Sequence, residues 1–292
     1  MTVYYLAKSL TSNTKVALAS ALIFASGYIG AESLWRIFNS IHTSHTVVFL
    51  SLTLILYKQF IDQSRTRLNK AADLYLLSVF TFVYTIDTGF VRAHGIIFLV
   101  AAVELLWNFH PLKSIFRLAP FGKLYFDFYI LNNSSSSELV TVFNQIFQQQ
   151  QLDLVLTPLK NLHNMMIPSL WQIPLGVFIL SLIVILLKSK SKILWLGLAF
   201  MLGNYLVFFI HTPNQVFPSL HRYFLLPAIG NALFMSCLVG QFFQKKFYLV
   251  IAFIILLHVG LLNKEHTAFI NERTNPEKRF YESLKQQLPA IS

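Results

Sequence analysis

Ionisable residues at the ends of apolar runs are the first candidates for chemistry in this sequence. Glu32 lies near the end of the first apolar run with Arg36 one helical turn later, and Asp87 is followed by Arg92 and His94 in a short link between two further runs. Charged side chains are costly in lipid, so those found in or near a membrane are functional candidates by default. Either carboxylate could position an acceptor hydroxyl or take its proton. A local Glu32–Arg36 salt bridge and an ion pair between Asp87 and Arg92 are the structural alternatives.

The segment FPSLHRYFLLPAIG (217–230) combines groups suited to a phosphate. His221 and Arg222 open an apolar run, where the N–H groups of a helix N-terminus attract anions and arginine adds a bidentate donor. Tyr223 supplies an interfacial hydroxyl, and Pro227 lies one turn inside, where a missing N–H is tolerated. These residues predict a site for a lipid-linked phosphate. The alternative is an arginine that snorkels to the membrane surface beside an interfacial tyrosine.

Glu104 differs from these residues because it lies deeper in its apolar run, toward the end away from Asp87. An isolated buried carboxylate is strongly destabilising, so it requires a cation. We predict a buried packing role for Glu104, with Lys113 or Arg117 as its partner.

The composition places the elements that hold these residues in lipid. Of 292 residues, 55% are hydrophobic and 12% charged, with a mean hydropathy of +0.58, whereas soluble domains carry about 25% charged residues. This excludes a soluble enzyme, a disordered chain and a disulfide scaffold, and the single Cys237 cannot form an internal disulfide. The sequence contains no glycine-rich phosphate loop, HExxH zinc motif or Gly-x-Ser-x-Gly elbow. We predict no cofactor and no dedicated metal site.

The net charge of +11 comes mostly from short basic clusters between apolar runs, at 58–70, 188–192 and 245–246. Such clusters are typical of loops held on the cytoplasmic side. The charge therefore predicts membrane topology, and nucleic acid is not expected as a partner.

Nine segments are predicted to cross the membrane as an all-α helix bundle, because a spanning helix needs about 20 mostly apolar residues. The first is read as a retained span and not as a cleaved signal, because its apolar run continues to Trp35. The third and fourth are short and are predicted to form a tight helical hairpin; one long bent helix is the alternative. The segments are residues 16–35, 45–60, 74–88, 95–109, 114–132, 171–187, 193–211, 223–243 and 247–262.

Topology depends on residues 114–132, an aromatic-rich stretch that contains Arg117, Lys123 and Asp127. If this stretch crosses, most Lys and Arg outside the spans fall on the side of the N-terminus; if it does not, the 188–192 and 245–246 clusters face outward. The positive-inside rule favours the crossing. We therefore expect an integral, multi-pass protein of the bacterial cytoplasmic membrane with its N-terminus inside.

The helix-bundle domain is predicted to occupy residues 1–263. Two polar segments are distinguished from its spans, one within this range and one after it. Residues 133–168 form an outer loop whose apolar spacing at Leu139, Val142, Phe143, Ile146 and Phe147 predicts a short amphipathic helix. That helix is read as interfacial or, alternatively, as a lid over an outward-facing site. Residues 264–292 form a short extracytoplasmic tail with one amphipathic helix.

Arg222 and Tyr223, followed by Pro227 and Gly230 in a late span, resemble a motif of the C-superfamily membrane glycosyltransferases, closest to the protein O-mannosyltransferase-like group. VYYLAKSLTSNTKVALASALIFASGYIGAES is similar to the family's cytoplasmic link and third span, ending in an outer acid, here Glu32. HTVVFLSLTLILYKQF is similar to its fourth span, and the hairpin at 85–104 and the polar loop before the last four spans also fit.

The resemblance implies transfer of a sugar from a polyprenyl-phosphate donor to a protein or glycan acceptor outside the cytoplasm. By analogy Arg222 would hold the donor phosphate, with His221 and Tyr223 beside it and Arg92 and His94 lining the same cavity. An inverting transfer of this kind needs a carboxylate base. The family's usual base lies in an acidic loop after the first span, and the resemblance implies that this sequence starts after that loop. Glu32 and Asp87 are therefore the candidate catalytic residues here.

Three explanations of that difference are open: a truncated chain, missing spans supplied by a partner, or an inactive scaffold. A non-catalytic lipid-handling or transport protein and a structural membrane subunit are the competing functions. An upstream reading frame encoding two spans and an acidic loop would argue against the scaffold.

Overall fold

The computed structural model describes residues 1–27, 29–31, 37–64, 66–89, 95–131, 153–166, 173–189, 191–211, 224–271 and 275–287. Within these ranges the chain is helical and contains no strand, which confirms the predicted all-α class. The helices are α1 Thr2–Thr11, α2 Thr14–Ala25, α3 Ile37–Gln63, α4 Leu68–Gly89, α5 Ile96–Asn108, α6 Pro111–Tyr125 with a π-helical turn Phe126–Leu131, α7 Asp153–Met166, α8 Leu175–Lys188, α9 Lys192–His211, α10 Leu225–Phe242, α11 Phe247–Phe269 and α12 Asn275–Gln287.

Three stretches are long and apolar enough to cross a membrane: Ser44–Gln63 in α3, Leu225–Phe242, which is α10, and Gln244–Ala268, which contains most of α11. Helices α2, α5, α8 and the first part of α9 are apolar but shorter. Each of the nine predicted segments contains a helix, although several helices are shorter than the apolar run that predicted them. Crossing of the membrane by each of the nine segments remains a prediction.

Helices α3 and α4 form an extensive pair whose interface is lined with small hydroxyl residues. Thr53 donates to Thr81 at 3.0 Å across the pair. Thr81 and Thr85 also donate to carbonyls of their own helix, those of Leu77 and Thr81. Small residues of this kind allow close helix packing in lipid, where the hydrophobic effect does not drive association.

Ring contacts show that α3 and α4 are antiparallel. The ring centroids of Phe49 and Tyr84 lie 4.2 Å apart, and those of Phe60 and Tyr75 lie 5.0 Å apart. Asp87, in the last turn of α4, therefore lies at the end of this pair opposite the 64–67 connection.

Helices α9 and α10 cross where two glycines face each other. A Cβ on Gly230 would lie 2.5 Å from the carbonyl oxygen of Gly197, and one on Gly197 would lie 2.9 Å from that of Gly230. Further along α9, a Cβ on Gly203 would lie 3.3 Å from the Cβ of Phe98 in α5. The middle of α9, at residues 197–203, thus lies between the start of α5 and the first half of α10.

These contacts give the bundle two distinct ends. The end that holds Gly30, Asp87, Gly95 and Leu225 is called the glycine end. The other, called the basic end, holds the connections between α1 and α2, α3 and α4, α5 and α6, α8 and α9, and α10 and α11. Its described basic residues include Lys15, Lys58, Arg67, Lys113, Lys188, Lys192 and Lys245.

Candidate functional site

Of the predicted site residues, Asp87 lies within the described part of the chain. Its side chain is exposed in the last turn of α4, at the glycine end. Glu32, Arg92, His94, His221, Arg222 and Tyr223 lie outside the described residues. The described residues next to two of these segments, Gly30 before Glu32 and Leu225 after Tyr223, lie at the glycine end.

The turn that leads to Glu32 packs against the residues that follow Arg222 and Tyr223. Gly30 has a φ of +70°, a backbone conformation open to glycine but strained for other residues. A Cβ on Gly30 would lie 2.3 Å from the backbone nitrogen of Leu225 and 2.7 Å from the carbonyl carbon of Phe224. Because Gly30 has no side chain, the two backbones approach directly, so the described residues next to the two predicted site segments meet at the glycine end.

The start of α10 has features that suit an anion. Its N-cap residue is Phe224, which offers no side-chain hydrogen bond to the first turn. The N-terminus of a helix carries the positive end of the helix dipole and unpaired backbone N–H groups; in this first turn Pro227 has no N–H, and the Leu225 nitrogen packs against Gly30. Arg222 and Tyr223 immediately precede this turn in the sequence.

Helix α7 covers part of the same end. Leu162 and Met165 of α7 are buried in a cluster with Ile29, Met201 and Phe224. Helix α7 belongs to the predicted outer loop at 133–168, and this part of the loop packs onto the glycine end. The amphipathic pattern predicted at 139–147 lies outside the described residues.

Asn231 is a candidate that the sequence analysis did not select. It is 4% exposed in α10, about two turns from Phe224, and its side-chain oxygen has no hydrogen-bond partner in the described structure. An unpaired buried amide oxygen is costly in lipid. An amide near the middle of an apolar span is the sequence signal that could have identified it.

Toward the basic end the structure has a second polar cluster around Glu104. The side chain is 0% exposed, and Arg117, 20% exposed, contacts its Oε1 at 3.1 Å. Ser114 donates to the same oxygen at 2.8 Å, and Tyr57 donates to Oε2 at 3.0 Å. This confirms the predicted buried packing role of Glu104 and selects Arg117 from the two predicted partners.

An aromatic cluster encloses this polar group. The buried ring of Phe121 makes edge contacts with Tyr57, Tyr75 and Phe82 at centroid distances of 5.4, 5.8 and 5.0 Å. The hydroxyl of Tyr75 also donates to the carbonyl of Arg117 at 2.7 Å. These contacts attach α6 to α3 and α4, so the cluster has a structural role in joining three helices.

Among the described residues, no three His, Cys, Asp or Glu side chains lie close enough to hold a metal ion. At the glycine end the described residues that could take part in chemistry are the exposed carboxylate of Asp87 and the N-terminus of α10. No family model matches this chain, and neither a curated protein nor a solved structure shows significant similarity to it.

Proposed function

We propose that this chain is a membrane glycosyltransferase that moves a sugar from a polyprenyl-phosphate donor to an acceptor outside the cytoplasm. The observation that carries the proposal is the backbone contact between Gly30 and Leu225. It joins the segment that ends in a carboxylate to the segment that begins with an arginine. The sequence resemblance described above supplies the reaction class.

The length of the chain limits how far the two groups can separate. Consecutive Cα atoms are about 3.8 Å apart. The Cα of Glu32 can therefore be at most about 8 Å from that of Gly30, and the Cα of Arg222 at most about 12 Å from that of Leu225. Both side chains are long enough to approach a sugar phosphate that lies between them. Asp87 lies at the same end of the bundle and is the alternative candidate for the general base.

In the proposed reaction each group has one role. The acceptor hydroxyl oxygen attacks the anomeric carbon of the sugar, and the bond from that carbon to the phosphate oxygen breaks. Glu32 or Asp87 takes the hydroxyl proton as general base. Arg222 stabilises the charge on the departing lipid phosphate through paired hydrogen bonds, assisted by His221, Tyr223 and the N-terminus of α10. We assign Arg92 and His94 to the same proposed site.

The proposed topology has nine spans, with the basic end in the cytoplasm and the glycine end outside. The concentration of Lys and Arg at one end supports this orientation, because basic loops are retained on the cytoplasmic side. The burial of Phe121 against both Tyr75 and Phe82 supports insertion of the 114–132 segment alongside α4.

A transport function is the main alternative, and it would require a polar path across the bundle. The buried hydroxyls of Thr53, Thr81 and Thr85 donate to carbonyls of their own helices or to one another. This arrangement favours helix packing over a path for solutes.

Release of polyprenyl phosphate tests the proposal, because it does not require the acceptor to be known. Membrane vesicles containing the protein are supplied with polyprenyl-phosphate hexoses, one at a time, together with native membranes as acceptor source. The wild type should release the lipid phosphate, and Arg222→Ala should reduce the rate by about 100-fold or more. Glu32→Gln and Asp87→Asn identify the base.

Arg67→Ala is the matched control, because Arg67 is an exposed arginine at the basic end. It should insert and react as the wild type does. Unchanged release by an inserted Arg222→Ala variant, or no release by the wild type with any hexose donor, would refute the proposal.

A further inference from the structure

Helix α12 carries an apolar face that the described part of the chain does not cover. Phe280, Tyr281 and Leu284 are 62%, 66% and 39% exposed. At 3.6 residues per turn these three side chains fall on one side of the helix, with the exposed Glu277 on the same side one turn earlier. A contiguous aromatic and aliphatic face left open to water marks an interaction surface.

Helix α12 is tethered close to the membrane at the glycine end. Lys15 lies 5.8 Å from the ring of Tyr248, and the ring of His258 is hydrogen-bonded to the backbone of Ile23. These two contacts show that α11 runs parallel to α2. Helix α11 therefore ends at the glycine end of the bundle, where Gly30 lies.

The connection between α11 and α12 is too short to carry α12 away from that surface. The apolar part of α11 ends near Leu262, and about 10 Å of polar helix follows up to Phe269. From Asn271 to Asn275 the chain takes four steps, which span about 15 Å at most. The tether allows α12 to fold back onto the bilayer and holds it near the headgroups.

The charges of α12 fit a lipid surface. Lys278 and Arg279 lie away from the apolar face, and Lys278 lies 3.9 Å from Glu282. A charged face opposite aromatic residues is typical of helices that lie in the membrane interface, and here that face carries Lys278, Arg279 and Glu282. Tyrosine is also enriched at this depth, where its ring is in the apolar region and its hydroxyl is hydrated.

We propose that α12 lies in the plane of the membrane at the glycine end, with Phe280, Tyr281 and Leu284 inserted among the upper acyl groups. Its partner is the lipid bilayer itself. This proposal is independent of the sugar-transfer activity, since it depends on the exposed face and the length of the tether.

The test uses the full chain in vesicles of phosphatidylcholine and phosphatidylglycerol. Cys237→Ala provides a background without cysteine. A bimane probe is attached through Phe280→Cys, Leu284→Cys or, as the matched control on the opposite face, Glu282→Cys. Quenching is measured with lipids that carry a nitroxide near the top of the acyl chain, and with aqueous iodide.

At Phe280 and Leu284 the nitroxide lipid should quench several-fold more than at Glu282, and iodide should show the reverse order. Equal iodide quenching at all three positions would place α12 in water and overturn the proposal. Protection of the Phe280 probe from both quenchers would also overturn it, because a protein surface would then be the partner.

Discussion

The backbone of Gly30 packs directly on that of Leu225, with no room for a side chain on the glycine. This contact connects the turn after α2 to the first residue of α10, although the two are far apart in the sequence. It joins the segment before Glu32 to the segment after Arg222, and the proposed donor site depends on it.

Gly30→Ala should disrupt this contact. The added Cβ would lie 2.3 Å from a backbone nitrogen, and a φ of +70° is unfavourable for alanine. We expect a loss of stability of about 1–3 kcal/mol and loss of donor binding. Thermal unfolding in detergent measures the first and donor binding the second. Gly176→Ala is the control, since nothing lies within 4 Å of a Cβ there; equal behaviour of the two variants would contradict the contact.

Gly230→Ala should separate α9 from α10. Its Cβ would meet the carbonyl oxygen of Gly197 and the Cβ of Phe200, each at 2.5 Å. Overpacking of this kind costs about 1–3 kcal/mol, so the midpoint of thermal unfolding should fall. Gly260→Ala, with open space around its Cβ, should not lower it. An unchanged midpoint in Gly230→Ala would show that the two helices do not cross there.

Arg117→Met should destabilise the protein because it leaves the buried Glu104 carboxylate without its cation. Breaking a buried pair from one side costs about 3–5 kcal/mol. The double variant Glu104→Gln/Arg117→Met should regain much of that stability, because no unpaired charge remains. Lys123→Ala breaks an exposed pair with Asp127 and should cost at most about 1 kcal/mol. Additive losses in the double variant would argue against the pairing.

Cysteine accessibility tests the two-ended arrangement. In the Cys237→Ala background, Asp87→Cys and Lys245→Cys are placed at opposite ends of the bundle. A membrane-impermeant maleimide added to intact cells should label position 87 and reach position 245 only after permeabilisation. Labelling of both positions from the same side would rule out the proposed topology.

The sequence was sufficient for the helical class and for a buried Glu104 with Lys113 or Arg117 as its partner, and the structure selected Arg117. Apolar runs separated by basic clusters predict membrane helices, and a buried acidic side chain requires a nearby cation. Tyr57 and Ser114 could not be predicted as partners of Glu104, because they come from helices whose relative placement is set by packing. The contact of Gly30 with Leu225 was equally hidden, since nothing local in the sequence specifies which backbone the glycine meets.

Helix lengths were the least predictable feature of the spans. The first apolar run was assigned to 16–35, whereas α2 ends at Ala25 and a turn follows at 29–31. Hydropathy measures how long a chain stays apolar, but the end of a helix depends on local backbone contacts. The turn at Gly30 is such a case, because its approach to Leu225 requires the chain to leave the helix.

Binding of the donor is the most direct measurement of the central claim, because it requires neither the acceptor nor the base. Native mass spectrometry of the purified chain with a polyprenyl-phosphate hexose should show one donor bound per chain. Arg222→Ala should weaken binding by about 10- to 100-fold, the value of hydrogen bonds to a charged group, and Arg67→Ala should not. Equal donor binding by the wild type and the Arg222→Ala variant would contradict a phosphate site at the start of α10.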